Sequence, residues 1–159
     1  MTELNQLLQR LCDADIEFVI VGGFAAMLHG SSMLTRDLDV CALLTDVNVA
    51  KLRDTFRDLH PTHRFTPQKL SFLEHPDPGV PLKNLYLQTD LGPIDLLGAI
   101  AGFDSFDDIK KNAVAFGLFG RKVHVISIED LVKAKEALGR HKDLLVAQEL
   151  RAIIEKTKK

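Results

Sequence analysis

The sequence has no tryptophan, a single tyrosine and only two cysteines, Cys12 and Cys41. Two cysteines cannot build a disulfide framework or a Cys-rich zinc site. One bridge is the most they allow, and two free thiols in a reducing compartment are expected. Neither sign of charge is in excess, with 20 Lys+Arg against 22 Asp+Glu and a net charge of −2. That balance excludes an overall basic footprint for duplex nucleic acid or an acidic membrane surface, and leaves room only for a local basic patch. Long apolar runs are missing too. The longest stretch without Asp, Glu, Lys or Arg, Phe18 to Thr35, is interrupted by Gly22-Gly23 and by His29-Gly30-Ser31-Ser32, so no membrane span is expected. The opening residues carry Glu3 and no basic segment ahead of an apolar block, so no signal peptide is expected and the expected location is cytoplasmic. What is there is an ordinary globular composition, 46% hydrophobic and 26% charged. At 159 residues the chain is long enough for one domain, residues 1–159, with its own core.

Leu4, Leu7, Leu8 and Leu11 repeat at i, i+3, i+4, i+7 and predict an amphipathic helix over 2–14. Phe18-Val-Ile-Val21 reads as a buried strand stopped by Gly22-Gly23, followed by a short helix from Phe24 to Leu28 that ends at Gly30. A second strand is expected over Asp37–Leu43, then a helix over Asp46–Leu59 with Asp46 as its cap. Residues 60–81 hold five of the six prolines and three of the six histidines and read as loop with one short strand at most. Hairpins are expected around Thr89–Pro93 and around Gly120-Arg121. A short helix is expected over Ser105–Lys111. A closing helix pair over 127–155 starts at the cap Ser127-x-x-Asp130 and is divided by Gly139. Local hairpins together with non-local strand pairing predict an α/β (α+β-like) fold. Its mixed sheet would carry acids at one edge of a cleft, with helices packed on the other face.

The informative segment is Val21 to Val40. In a strand, Asp37 and Asp39 share one face, about 6–7 Å apart along the chain. Two such carboxylates repel unless a cation sits between them, and the spacing suits Mg²⁺ with phosphate oxygens as further ligands. Asp95 interrupts the apolar run Ile94-Asp-Leu-Leu97; if its strand pairs with the first, three acids converge. The plain alternative is the solvent face of an edge strand. Against it stands the upstream strand ending in Gly22-Gly23, where backbone N–H groups can approach a phosphate closely. Acids, cation and phosphate cradle together point to phosphoryl or nucleotidyl transfer.

This stretch resembles the signature of the nucleotidyltransferase superfamily that includes DNA polymerase β and the aminoglycoside and lincosamide nucleotidyltransferases. The signature is a strand, Gly-Gly or Gly-Ser, a gap, then acid-apolar-acid on the next strand. Gly22, Gly23, Asp37 and Asp39 match it, and Asp95 matches the third family carboxylate. His29-Gly30 and Thr35-Arg-Asp-Leu-Asp39 look most like the small prokaryotic branch of abortive-infection-type enzymes and minimal nucleotidyltransferase antitoxins. Ile128 to Lys135 and Gly139 to Asp143 resemble that branch's closing helices. Met33 stands where the branch often has Arg, and Gly23 where many relatives have Ser.

The resemblance implies a nucleotidyltransferase-like fold and an ATP-binding or other nucleotide-binding enzyme dependent on Mg²⁺ (or Mn²⁺). It would move a nucleoside monophosphate from a nucleoside triphosphate to a hydroxyl of an acceptor: a small molecule, an RNA or a protein. Asp37, Asp39 and Asp95 would hold the metal and act in catalysis; Gly22 and Gly23 would cradle phosphate. The alternative is a partner-binding antitoxin that keeps the fold and engages a toxin. A metal-dependent nuclease is a weaker third reading, with no basic groove behind it.

Lys135 falls on the same helical stripe as Leu131 and Val132, among Ile128, Leu131, Val132 and Leu138 read as the buried face, so it needs an anionic partner. Either it or Arg140 pairs with Asp143, or Lys135 and Arg140 reach the triphosphate as cofactor-binding residues. His60, His63, His75 and Asp77 fit no standard zinc spacing and read as surface. His29 either caps its helix or contacts nucleotide, and Cys41 reads as a small buried side chain.

Overall fold

The leucine stripe of the first segment winds into α1 (Glu3–Asp13), with Thr2 as N-cap and Leu7, Leu8 and Leu11 buried. In the computed structural model, which describes residues 2–158, α1 leads to β1 (Val19–Val21), α2 (Gly22–Leu28) and β2 (Leu38–Cys41). Then come α3 (Asp46–Phe56), a 3₁₀ turn (Arg57–Leu59), β3 (Thr62–His63), β4 (Asn84–Thr89) and β5 (Gly92–Leu97). The chain closes with α4 (Phe106–Lys110), β6 (Val114–Leu118), β7 (Arg121–Val125), α5 (Ile128–Leu138) and α6 (His141–Thr157).

The strands form one seven-stranded sheet in the order β3-β4-β5-β2-β1-β7-β6. It is mixed as expected: β1–β7 and β2–β5 are parallel, the other pairs antiparallel. Both hairpins form where the turn residues lie. The β6–β7 turn places Phe119 and Gly120 at φ of +55° and +72°, the twist that a two-residue hairpin favours and that glycine tolerates best.

Leu38 and Val40 of β2, Ile94 and Leu96 of β5, and Leu85 and Leu87 of β4 point to one face, buried against a layer that includes α1 and α3. The opposite face, which bears the acids, is overlain by α2 and α5, with α6 packed on α5. Helices therefore flank both faces, not only the far one, and β2 and β5 are central strands, so the acids do not lie at a sheet edge.

Several local expectations change. The second strand begins at Leu38, leaving Asp37 outside it and exposed. Thr45, not Asp46, caps α3, because its Oγ1 accepts the Asn48 N–H at 3.2 Å. Leu138 is 49% exposed at the end of α5, whereas Leu131 and Val132 are buried. The His29 ring does not cap its own helix. Its Nε2 lies 2.7 Å from the carbonyl oxygen of Ile126, tying α2 to the end of β7. Both cysteines are free thiols, Cys41 fully buried. His60 pairs with Asp90, and His63 Nε2 bonds the His75 carbonyl, so these rings are engaged within the loop region. Among the described residues no helix is long and apolar enough to cross a membrane.

Candidate active site

Parallel pairing of β2 with β5 sets Asp39 directly beside Asp95, and the same row runs on to Val21 of β1 and Tyr86 of β4. Residues level with one another across a sheet share a face, so two acids from segments far apart in sequence meet. They open into a cavity of about 300 Å³ roofed by α5, whose walls include Gly22, Asn84, Tyr86, Leu97, Ile100 and Lys135. A wider groove between α5 and α6, about 860 Å³, is lined by exposed side chains such as Glu129, Lys133, Glu136 and Arg151 and reaches none of these acids.

Asp39 is the strained member. Its Oδ1 is buried and, among the described residues, has no hydrogen-bond partner. Burial first, then the charges of Asp95 and Asp37, push its carboxyl up to about 6. Both neighbouring carboxylates are thus close enough to oppose the ionisation of Asp39. Among the described residues no three His, Cys, Asp or Glu side chains form a ready metal cage. Asp37 is exposed at the end of the loop before β2, where its N–H donates to Thr35 Oγ1 at 3.2 Å.

Gly22 and Gly23 occupy the first turn of α2 rather than the strand-to-helix gap. Gly22 has φ of +68°, and a Cβ there would overlap Asp39 Oδ2. The glycine thus permits both the turn out of β1 and the seating of the acid. Gly23 has ordinary backbone geometry and faces Thr35, whose Cβ would lie 3.1 Å from an added methyl. Gly22→Ala should cost roughly 2 kcal/mol or more, from the left-handed conformation plus displacement of the Asp39 carboxylate. Gly23→Ala should cost less. Urea unfolding of the two variants checks the difference.

Lys135 and Arg140 both pair with Asp143, which is 1% exposed. Arg140 makes the tighter contacts, Nε to Oδ2 at 2.6 Å and Nη2 to Oδ1 at 3.2 Å, while Lys135 Nζ stands 3.5 Å from Oδ1. Burial alone would raise the Asp143 carboxyl, but hydrogen bonding to Arg140 and the charges of both cations outweigh it and hold it low. The structural pair weighed in the sequence is therefore present. The Lys135 ammonium nevertheless remains on the cavity wall, loosely held and near enough to Asp39 to favour its ionised form.

Two residues of the site come from parts of the chain that carry no motif. Arg64, in the proline-rich segment after β3, donates from Nη2 to Asp95 Oδ1 at 2.5 Å. Glu149 of α6 accepts from the hydroxyls of Ser31 and Ser32 at 2.5 and 2.6 Å and so anchors the loop leading to Asp37.

A mixed sheet with a glycine turn between the first strand and its helix, and acids on two adjacent central strands, is the arrangement of a nucleotidyltransferase. The chain belongs to the family described as nucleotidyl transferase of unknown function (DUF2204), which matches residues 1–159. Solved structures agree on the fold. The lincosamide antibiotic adenylyltransferase LnuA, with lincomycin bound, aligns over 95% of this chain and 96% of its own, at 15% identity and a TM-score of 0.62. An antigenic nucleotidyltransferase-like protein from Paracoccidioides brasiliensis aligns over 96% and 73%, at 16% identity and a TM-score of 0.57. ANT(2″)-Ia, solved with adenylyl-2″-tobramycin, aligns over 95% and 98%, at 14% identity and a TM-score of 0.51. Comparison with curated proteins gave no match.

Proposed function

We propose that this nucleotidyltransferase moves a nucleoside monophosphate from a nucleoside triphosphate to a hydroxyl of a small acceptor, with Mg²⁺ or Mn²⁺ as cofactor. The observation that carries the reading is Asp39, a half-buried acid whose buried Oδ1 has no partner among the described residues, set beside Asp95 and against Gly22 in a cleft. A divalent cation suits this donor set, because oxygen ligands are what Mg²⁺ takes and the charges of Asp95 and Asp37 otherwise disfavour the ionised Asp39. Asp39, with Asp37 and Asp95, would hold it, and it would offset the charge of the acids and the triphosphate.

The remaining roles belong to the chain itself. Gly22 and Gly23 leave the first turn of α2 without side chains, so its N–H groups can face phosphate. Lys135 and Arg140 bring cationic charge to the cavity wall. The acceptor oxygen bonds to the α-phosphorus, the bond to the β-phosphate oxygen breaks, pyrophosphate leaves, and the acceptor proton passes to Asp95. The volume and the apolar wall of Leu97, Ile100 and Leu131 suit a small molecule with apolar surface. Of the same fold, LnuA was solved with lincomycin and ANT(2″)-Ia with adenylyl-2″-tobramycin.

A second reading, a partner-binding module of the abortive-infection or antitoxin type, is favoured by Met33 and Leu34, exposed apolar residues on the loop before Asp37. One experiment separates the two. The protein is incubated with labelled ATP, CTP, GTP or UTP, Mg²⁺ and a cell lysate. Label should move to one species and stop on chelation of the metal. No transfer from any nucleotide, with Mg²⁺ or with Mn²⁺, would overturn the enzymatic reading and leave the module.

A further inference from the structure

Asp95 is the acid with a built-in cation. Arg64 Nη2 donates to its Oδ1 at 2.5 Å, the two side chains being 23% and 21% exposed. The guanidinium is itself braced: Nη1 donates to the Leu87 carbonyl at 2.8 Å, and Cζ lies 4.8 Å from the centre of the Phe65 ring. Phe65 in turn meets Tyr86 edge-on at 5.2 Å, and the Arg64 N–H donates to the Tyr86 carbonyl at 2.8 Å. Asp39, one strand over, has no comparable partner for Oδ1 among the described residues.

The cavity thus sets two acids side by side and places a fixed positive charge on one of them. We propose that Arg64 is the resident counter-charge of Asp95, occupying on that carboxylate the place a divalent cation requires, so that guanidinium and metal compete for it. This rests on the reading of Asp95 as a cation ligand. The competition follows from geometry and charge. Arg64 meets Asp95 through one oxygen, on the acid that stands level with Asp39 in the sheet, and two cations cannot both hold that carboxylate at full strength. Whatever free energy the ion pair contributes is subtracted from metal binding, and by linkage the metal weakens the ion pair to the same extent. Arg64 is therefore a positioning residue. It keeps Asp95 ordered and neutralised when the cleft is empty of cation, and sets how much metal is needed to load it.

The test is calorimetric titration of Mn²⁺ into the nucleotide-free protein. Arg64→Gln, which keeps a donor for the Leu87 carbonyl but removes the charge, should bind Mn²⁺ ~10-fold more tightly than wild type. Arg64→Lys should stay within ~3-fold of wild type. In an Asp95→Asn background the effect of Arg64→Gln should vanish, an outcome that a purely structural role would not produce. Equal or weaker Mn²⁺ binding by Arg64→Gln, with Asp95→Asn weakening it, would overturn the competition and leave the site reading intact. Unchanged binding in Asp95→Asn alone would instead remove Asp95 from the ligand set, and the proposal with it. A measurement on the wild type needs no variant to fold: saturating Mg²⁺ should shift the Arg64 side-chain Nε resonance, and an unmoved resonance refutes the exchange.

Discussion

Asp39→Asn should make the metal-free protein more stable at neutral pH while abolishing metal-dependent nucleotide binding. The carboxyl is raised from its ordinary 3.8 to about 6, so ionising it in the fold costs up to about 3 kcal/mol. The sign follows from which state releases its proton first. Between about pH 4 and 6 the unfolded chain ionises ahead of the folded one, so stability falls as pH rises through this window and then levels off. Asparagine has the same shape and no charge, so the variant should lose this slope and gain most of that stability at pH 7.5. Thermal unfolding in chelator, at pH 4.5 and 7.5, measures it. With Mg²⁺ and nucleotide the order should reverse, because only the wild type gains from binding. A variant no more stable than wild type in chelator would mean that Asp39 is not the repelled centre of the site.

Asp143→Ala should be the most damaging change away from the acids. It leaves Lys135, whose side chain is only 12% exposed, without its buried partner, and breaks both bonds from Arg140. Removing one partner of such a group costs about 3–5 kcal/mol. Lys135→Met should cost about 1 kcal/mol or less, because Asp143 keeps the closer Arg140 fork and methionine suits the apolar neighbours. If Lys135 also reaches phosphate, that variant loses nucleotide affinity out of proportion to its small loss of stability. Chemical denaturation alongside nucleotide titration separates the two effects; a large stability loss with unchanged affinity would make Lys135 purely structural. The low Asp143 carboxyl adds a pH signature of the opposite sign to that of Asp39. Its contribution is present above the ordinary carboxylate range and disappears as pH falls through the depressed value.

The elements that could be read in advance are those whose signal is local. The α1 leucines, the β1 run before Gly22, the hairpin around Asp90-Leu91 and the stop at Gly139 each follow from periodicity or from a backbone conformation that few residues accept. Asp95 was visible because an acid inside Ile94-x-Leu-Leu97 is out of place in a buried strand. Arg64 was not. It lies among prolines after a strand of two residues, and its meaning depends on Asp95 across two strand pairings, which no spacing along the chain encodes. Glu149 is hidden likewise, being an ordinary helix glutamate until the fold brings Ser31 and Ser32 to it. Leu138 misled for the converse reason: helical periodicity predicts a face, whereas α6 decides how much of that face is covered.

The parallel pairing of β2 with β5 also bears on when the cleft comes into being as the chain is made. Parallel neighbours cannot be joined by a tight turn, so β2 must wait, through α3, the proline-rich segment and β4, for its partner. Even then the acids lie on an open sheet face until α5, threaded still later, roofs them. A nascent chain that has reached β5 holds Asp39 and Asp95 side by side without Lys135, whose charge favours the ionised Asp39 in the finished cleft. Any molecule that binds the finished cleft thus selects the complete fold over each of its precursors, and in the cell its abundance sets how far the last assembly step is drawn forward.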